Sequence, residues 1–313
     1  MSSANSLFLV LLILGPVVSL SSSNWMICWS GVELSFLGLI PLLFMSNKYI
    51  SLTKESAMKY FCIQALGSAV LFYSGLMVFS DLGSMFTNIL LILSIFIKLG
   101  IFPLHFWVPS VVAGLDWFPL FFILTTQKVA PFAFFTLLIS NLSEDFSLLV
   151  AALGGITALV GALMGNNQTD LRAMLGCSSV AHSGWLVLGC ITGFFWGYFF
   201  IYCISLFLVF NFLMNPLSNV ETGISIISLS GLPPFLMFLG KWGVLKSSVE
   251  MLFPWWIVGT FLLGAFISLV FYLKFSYSFM LNNENALQNK GLKSSYLSFM
   301  LINLMGLMFF FFI

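Results

Sequence analysis

Residues 94–109 read SIFIKLGIFPLHFWVP, an apolar run long enough to lie inside a membrane yet interrupted by Lys98, Gly100, Pro103, His105 and Pro109. Each interruption is costly in a lipid-facing helix. A charge at mid-bilayer costs roughly 2.5–3.5 kcal/mol on insertion scales. Proline removes a backbone hydrogen bond that no water replaces there, so a broken helix has to be buried in protein or line a wet cavity. The stretch predicts a discontinuous helix beside an internal polar path.

The remaining sequence agrees with a membrane setting. Of 313 residues, 60% are hydrophobic and 7% charged, against roughly 25% charged in soluble domains. A net charge of +1 excludes a nucleic-acid partner, which would need a basic patch or stripe. Cys28, Cys62, Cys177, Cys190 and Cys203 lie in apolar runs without a CxxC pair, which argues against zinc, iron–sulfur or disulfide roles and for small buried hydrophobes. No HxxxH pattern and no glycine-rich nucleotide loop occurs, so no metal or cofactor is expected in this chain. Residues 1–24 lack the basic start of a signal peptide and read as a first spanning helix.

A span needs about 20 mainly apolar residues. Candidates are 4–21, 25–45, 56–79, 84–105, 117–140, 146–165, 173–192, 194–214, 223–246, 254–280 and 295–313. The expected fold is all-α and polytopic, one transmembrane domain of about eleven helices. Turn signals at Ser46–Glu55, Asp81–Ser84, Pro109–Asp116, Asn141–Asp145, Asn166–Arg172, Asn215–Glu221, Lys246–Pro254 and Asn282–Ser294 separate the spans. This division puts Lys48, Lys54, Lys59, Arg172, Lys290 and Lys293 on the N-terminal side, and Lys246 with Asp81, Glu144, Asp145 and Glu250 opposite. The positive-inside rule then places the N-terminus in the cytoplasm or mitochondrial matrix.

The ninth span repeats the design of the fourth. SGLPPFLMFLGKW carries Gly231, Pro233, Pro234 and Lys241 where the fourth carries Gly100, Pro103 and Lys98. Paired glycine- and proline-interrupted spans at corresponding places point to an inverted-repeat transporter. The expected units are residues 4–140 and 146–280, five helices each and oppositely oriented, followed by a final helix at 295–313.

The ionisable residues inside spans are the candidate site. Glu33 lies about 12 Å into the second span at 1.5 Å per residue, too deep for its short stem to reach the surface. Lys98 is its natural partner, either as a structural ion pair or as part of a switch. Lys128 sits mid-span before Pro131, and Lys241 follows the second break. Desolvation favours a neutral amine and a nearby carboxylate favours the ammonium, so a lysine with a movable counter-charge can relay protons. For Lys241 an interfacial anchor is the alternative. His105 and His182, the only histidines, extend the relay with groups that titrate near neutrality. GALMG (161–165) and GFFWG (193–197) read as helix-packing motifs, and the many phenylalanines as lipid-facing bulk.

KLGIFPLHFWVP (98–109) resembles the signature of the antiporter-like, proton-pumping membrane subunits of respiratory complex I. Supporting stretches are SSNWMICWSGVELSFLGLIPLL (22–43), KESAMKYFCIQALGSA (54–69), TTQKVAPF (125–132), NNQTDLRAMLGCSSVAHSGWLVLG (166–189) and GLPPFLMFLGKW (231–242). The resemblance implies a hydrophilic axis of Glu33, Lys98, Lys128 and Lys241, with His105 and His182 alongside. It implies a place among the other membrane-arm subunits and lipids. NADH, FMN, iron–sulfur clusters and ubiquinone would be held by partner subunits. Bacterial relatives carry three further helices ahead of the point where this chain starts, which favours the mitochondrial inner membrane, with the N-terminus in the matrix and the C-terminus in the intermembrane space. Ser110 stands where the family commonly has an acidic residue after WVP. A cation/proton antiporter subunit would share both broken helices, and a structural spacer would not need the buried charges.

Overall fold

A computed structural model describes residues 3–44, 50–80, 84–140, 143–214 and 219–281. The span expected at 295–313, together with Lys48, Asp81, Lys290 and Lys293, lies outside the described residues.

Among the described residues every regular element is a helix: α1 Ser3–Ser21, α2 Trp25–Leu43, α3 Ile50–Phe79, α4 Met85–Leu99, α5 Trp107–Ala113, α6 Trp117–Leu124, α7 Thr126–Ile139, α8 Glu144–Asn166, α9 Leu171–Thr192, α10 Phe195–Met214, α11 Asn219–Ser230, α12 Leu236–Glu250 and α13 Trp255–Leu281. Seven stretches are long and apolar enough to cross a membrane: α2, α3, α6 with α7, α8, α9, α10 and α13. Shorter apolar helices occur within α1, α4 and α11.

Several boundaries differ from the sequence expectation: α3 begins at Ile50 rather than 56, inside the expected Ser46–Glu55 turn, α11 begins at Asn219 rather than 223, and α12 runs on to Glu250 rather than 246. The fourth span does not run to residue 105, because α4 stops at Leu99 and Gly100 turns the chain with φ 69°. Pro109 was expected in a turn but lies in the first turn of α5, where a missing N–H leaves no bond unmade. The span at 117–140 is broken at Thr125 (φ −115°, ψ −77°). There the Thr125 and Thr126 hydroxyls donate to the Phe121 and Phe122 carbonyls at 2.7 and 3.0 Å. Pro131 cannot donate to the Gln127 carbonyl, which weakens the same helix one turn later.

The chain divides into two compact units. Of the described residues, the first holds those up to 147 together with 169–183, and the second holds 148–168 together with those from 184 to 281. In the first unit, α1 and α2 pack backbone to backbone through Gly15, Ser19, Gly31, Ser35 and Gly38. A Cβ on Gly31 would lie 2.6 Å from the Ser19 nitrogen, and one on Gly38 would lie 2.8 Å from the Leu12 nitrogen. Small residues allow this close approach in the absence of a water-driven hydrophobic force. In the second unit Gly184 approaches the Gly154 carbonyl in the same way, and Gly165 of GALMG meets the Phe271 ring.

GFFWG is not a packing motif. Gly193 follows the last residue of α9 with φ 78° and meets nothing within 4 Å, while Gly197 faces the nearby Phe194 ring. The motif straddles a helix end, so its two glycines do not share a face. Nor are the phenylalanines only lipid-facing bulk. Phe96, Phe132 and Phe135 are fully buried in the first unit, as are Phe195, Phe261 and Phe271 in the second. None of the five cysteines is in a disulfide among the described residues, and Cys28, Cys177 and Cys190 are buried as expected. Cys62 is exposed and Cys203 half-buried.

The glycine seam predicts a position-specific effect. Gly31→Ala forces α1 from α2 and costs about 1–3 kcal/mol of packing energy, seen as less assembled protein and a lower thermal midpoint. Gly259→Ala, with open space around it, leaves both unchanged.

Candidate functional site

The first broken helix positions the site. A Ser84–Thr87 capping box starts α4, and Gly100 ends it. The amides of Gly100 and Ile101 both donate to the Phe96 carbonyl, at 2.9 and 3.0 Å. The next two carbonyls are left without helical donors and are taken by side chains. Trp107 Nε1 donates to Ile97 O at 3.0 Å, and Gln64 Nε2 donates to Lys98 O at 3.3 Å. Gly100 cannot be replaced cheaply, because a Cβ there would come within 2.3 Å of Val108 Cγ2 at a left-handed φ.

Lys98 is 6% exposed and lies in the last turn of α4, where the negative end of the helix dipole favours a cation. Its Nζ is 3.9 Å from Glu33 Oε1, an ion pair without a hydrogen bond. Glu33 Oε1 is buried and has no hydrogen-bond partner among the described residues. Such a separation carries about 4 kcal/mol of attraction at an effective dielectric of about 20, set against the desolvation of both charges.

Lys98 and Lys128 line one small cavity with Tyr60, Gln64, Gln127 and Ser179. Its volume of about 10 Å³ has room for about a single water. Lys128 stands in the first turn of α7, directly after the Thr125 break, and its Nζ donates to Ser179 O at 2.9 Å. Beside it, Gln127 Nε2 donates to Ser35 O at 3.0 Å and its carbonyl accepts from Ser35 Oγ at 3.5 Å. That clamp ties α7 to the helix that carries Glu33.

The two histidines are placed differently. His182 is buried on α9, three residues beyond Ser179 and so on the same helix face. His105 is also buried, in the turn after Gly100. Its ring lies against Phe102 and Phe106, with centroids 5.8 and 4.1 Å away. Among the described residues neither ring nitrogen finds a hydrogen bond of full geometry, and His105 is not among the residues lining the cavity.

Lys241 belongs to the second unit. It is 7% exposed, so it is no interfacial anchor of this chain. Its Nζ donates to Ser230 O at 2.7 Å and lies 5.7 Å from the centre of the Trp185 ring. Ser230 is the last residue of α11, and Gly231 follows with φ 79°. A Cβ on Gly231 would meet Lys241 Cδ at 2.8 Å, so the bare glycine lets the lysine fold over the break. Pro233 and Pro234, which offer no N–H, complete the turn. In both broken helices a buried ammonium therefore sits at the negative end of the first half-helix.

Sequence reasoning missed Tyr60, Gln64, Gln127 and Ser179. Two amides deep in apolar spans, at Gln64 and Gln127, were the available signal, since polar side chains there generally bond across helices.

Comparison with known proteins follows the same lines. Residues 22–214 match the family model described as NADH:quinone oxidoreductase/Mrp antiporter, TM. NADH-ubiquinone oxidoreductase chain 2 of Albinaria caerulea is 36% identical over 277 residues, covering 88% of this chain and 89% of the relative. The protein of that name from Anopheles gambiae is 36% identical over 309 residues, covering 90% and 87%. Among solved structures, a chain of respiratory complex I from Thermus thermophilus with bound aureothin superposes with a TM-score of 0.80 at 22% identity, covering 98% of this chain and 77% of that one. A chain of the Mrp complex from Dietzia sp. DQ12-45-1b gives 0.77 at 16%, covering 86% and 59%. At these identities the structural likeness is one of fold.

The side-chain capping of α4 is testable. Trp107→Phe keeps the ring but leaves the Ile97 carbonyl unpaired, at a cost of about 1–3 kcal/mol. The expected result is a lower thermal unfolding midpoint, and an unchanged midpoint would show that the indole bond is dispensable.

Proposed function

Since this chain belongs to the NADH:quinone oxidoreductase/Mrp antiporter membrane family, within the group of NADH-ubiquinone oxidoreductase chain 2, we propose that it is a proton-translocating subunit of the membrane arm of respiratory complex I. The observation that carries this reading is the 3.9 Å Glu33–Lys98 pair beside a cavity that Lys98 shares with Lys128. Redox energy released in partner subunits, which hold the NADH, FMN, iron–sulfur and ubiquinone sites, shifts the Glu33 counter-charge. Lys98 then loses its electrostatic hold and passes its proton towards Lys128. His182, on the Ser179 face of α9, and Lys241 in the second unit are the next groups of the relay. His105 was expected between Lys98 and Lys128 on this route; its ring packs against Phe102 and Phe106, and it does not line the cavity that the two lysines share.

The repeat architecture belongs to the same proposal. Residues 4–140 and 146–280 are read as oppositely oriented five-helix repeats, each with one helix interrupted by glycine and proline. In support, both breaks follow a helix end with a positive-φ glycine, at Gly100 and Gly231, and then a proline. The chain is placed in the mitochondrial inner membrane as a multi-pass protein. Its N-terminus is read as facing the matrix and its C-terminus the intermembrane space, on the asymmetry of Lys54, Lys59 and Arg172 against Lys246 on the other side.

Lys98→Met in the intact enzyme tests the relay. The expected result is normal assembly with most proton pumping per electron lost in proteoliposomes. Full assembly with undiminished pumping would instead favour a structural spacer. The fold shared with the Mrp complex keeps a cation/proton antiporter reading in view, and pumping that varies with sodium concentration would favour it.

A further inference from the structure

An ammonium donates three hydrogen bonds and accepts none, so Lys98 can hand its proton on only while Lys128 is a neutral amine. A group lining the cavity they share that both accepts and donates would carry that proton from one nitrogen to the other. The amides are committed: Gln64 Nε2 to Lys98 O, and Gln127 to Ser35. The Ser179 hydroxyl is committed to Gly176 O at 2.8 Å. Tyr60 is not. It is 1% exposed, it lines the cavity with both lysines, and its hydroxyl has no hydrogen-bond partner among the described residues.

An unpartnered buried hydroxyl costs about 1–3 kcal/mol, and a native fold seldom carries such a group without a use for it. The ring is not free to escape. It lies between Phe36 and Trp107, with centroids 5.9 and 6.0 Å away, and Trp107 is itself pinned to the Ile97 carbonyl. Gln64, one turn further along α3 on the same face, fixes the backbone of Lys98. The phenol is thus held at the cavity while its hydroxyl stays uncommitted.

We propose that the Tyr60 hydroxyl passes the proton between Lys98 and Lys128, an inference that rests on the relay reading above. An N–H bond of the Lys98 ammonium breaks as a new O–H bond forms on Tyr60. The original Tyr60 O–H bond breaks in the same event, and its proton goes to the neutral amine of Lys128, directly or through one water. Lys98 ends neutral, Lys128 ends charged and Tyr60 is regenerated. Nothing is oxidised or reduced.

The test compares Tyr60→Phe, Tyr60→His and Lys128→Met in the intact enzyme in proteoliposomes, driven by NADH and ubiquinone. Tyr60→Phe removes the hydroxyl alone. The expected result is normal assembly with proton pumping reduced on the order of tenfold, a modest share of what a positioned proton-transfer group contributes. Tyr60→His, which again accepts and donates, is expected to recover part of the loss. Wild-type pumping by Tyr60→Phe, with pumping lost in Lys128→Met, would overturn the role of Tyr60 and leave the relay standing. Wild-type pumping by both would overturn the relay itself. Failure of Tyr60→Phe to assemble would give the hydroxyl a structural role and also overturn the inference.

Discussion

A backbone carbonyl released from its helix in a medium without water has to find another donor, and that requirement organises the site. At the first break the donors are the Gly100 and Ile101 amides, the Trp107 indole and the Gln64 amide. At the second, the Lys241 ammonium serves the Ser230 carbonyl. Each break thereby draws polar side chains into an apolar interior and fixes them there. The polar interior at each break is a consequence of unsatisfied backbone as much as of the charges placed there.

The buried lysines are held by different means. Lys98 has a carboxylate at 3.9 Å and the end of α4 beneath it. Lys128 donates to a neutral carbonyl from the opposite, N-terminal end of α7, where the helix dipole works against a cation. Movement of Glu33 therefore bears directly on Lys98. The clamp between Gln127 and Ser35 runs from the Lys128 turn to the helix of Glu33, so displacement of that helix would be felt at both lysines.

Much of this was legible in the sequence because it is expensive. Charges deep in apolar runs and glycine–proline pairs stand out, and the Glu33–Lys98 pairing followed from depth alone. The break at Thr125 was hidden because two threonines in an apolar span look harmless; their effect appears only when their hydroxyls bind carbonyls one turn back. Tyr60 was hidden for a related reason. An aromatic residue reads as bulk, and only its surroundings reveal an uncommitted hydroxyl. His105 shows the opposite limit: its position next to the break pointed to the path, but the turn directs its ring towards Phe102 and Phe106.

The central claim is that Lys98 exchanges between Glu33 and the cavity. The most direct measurement is the Lys98–Glu33 separation in maps of the assembled enzyme at rest and during turnover, at a resolution that fixes both side chains. The account predicts two populated arrangements, one near 3.9 Å and one in which Lys98 has turned from Glu33 towards Tyr60 and Lys128. A single unchanged pairing in every class of the working enzyme would contradict it.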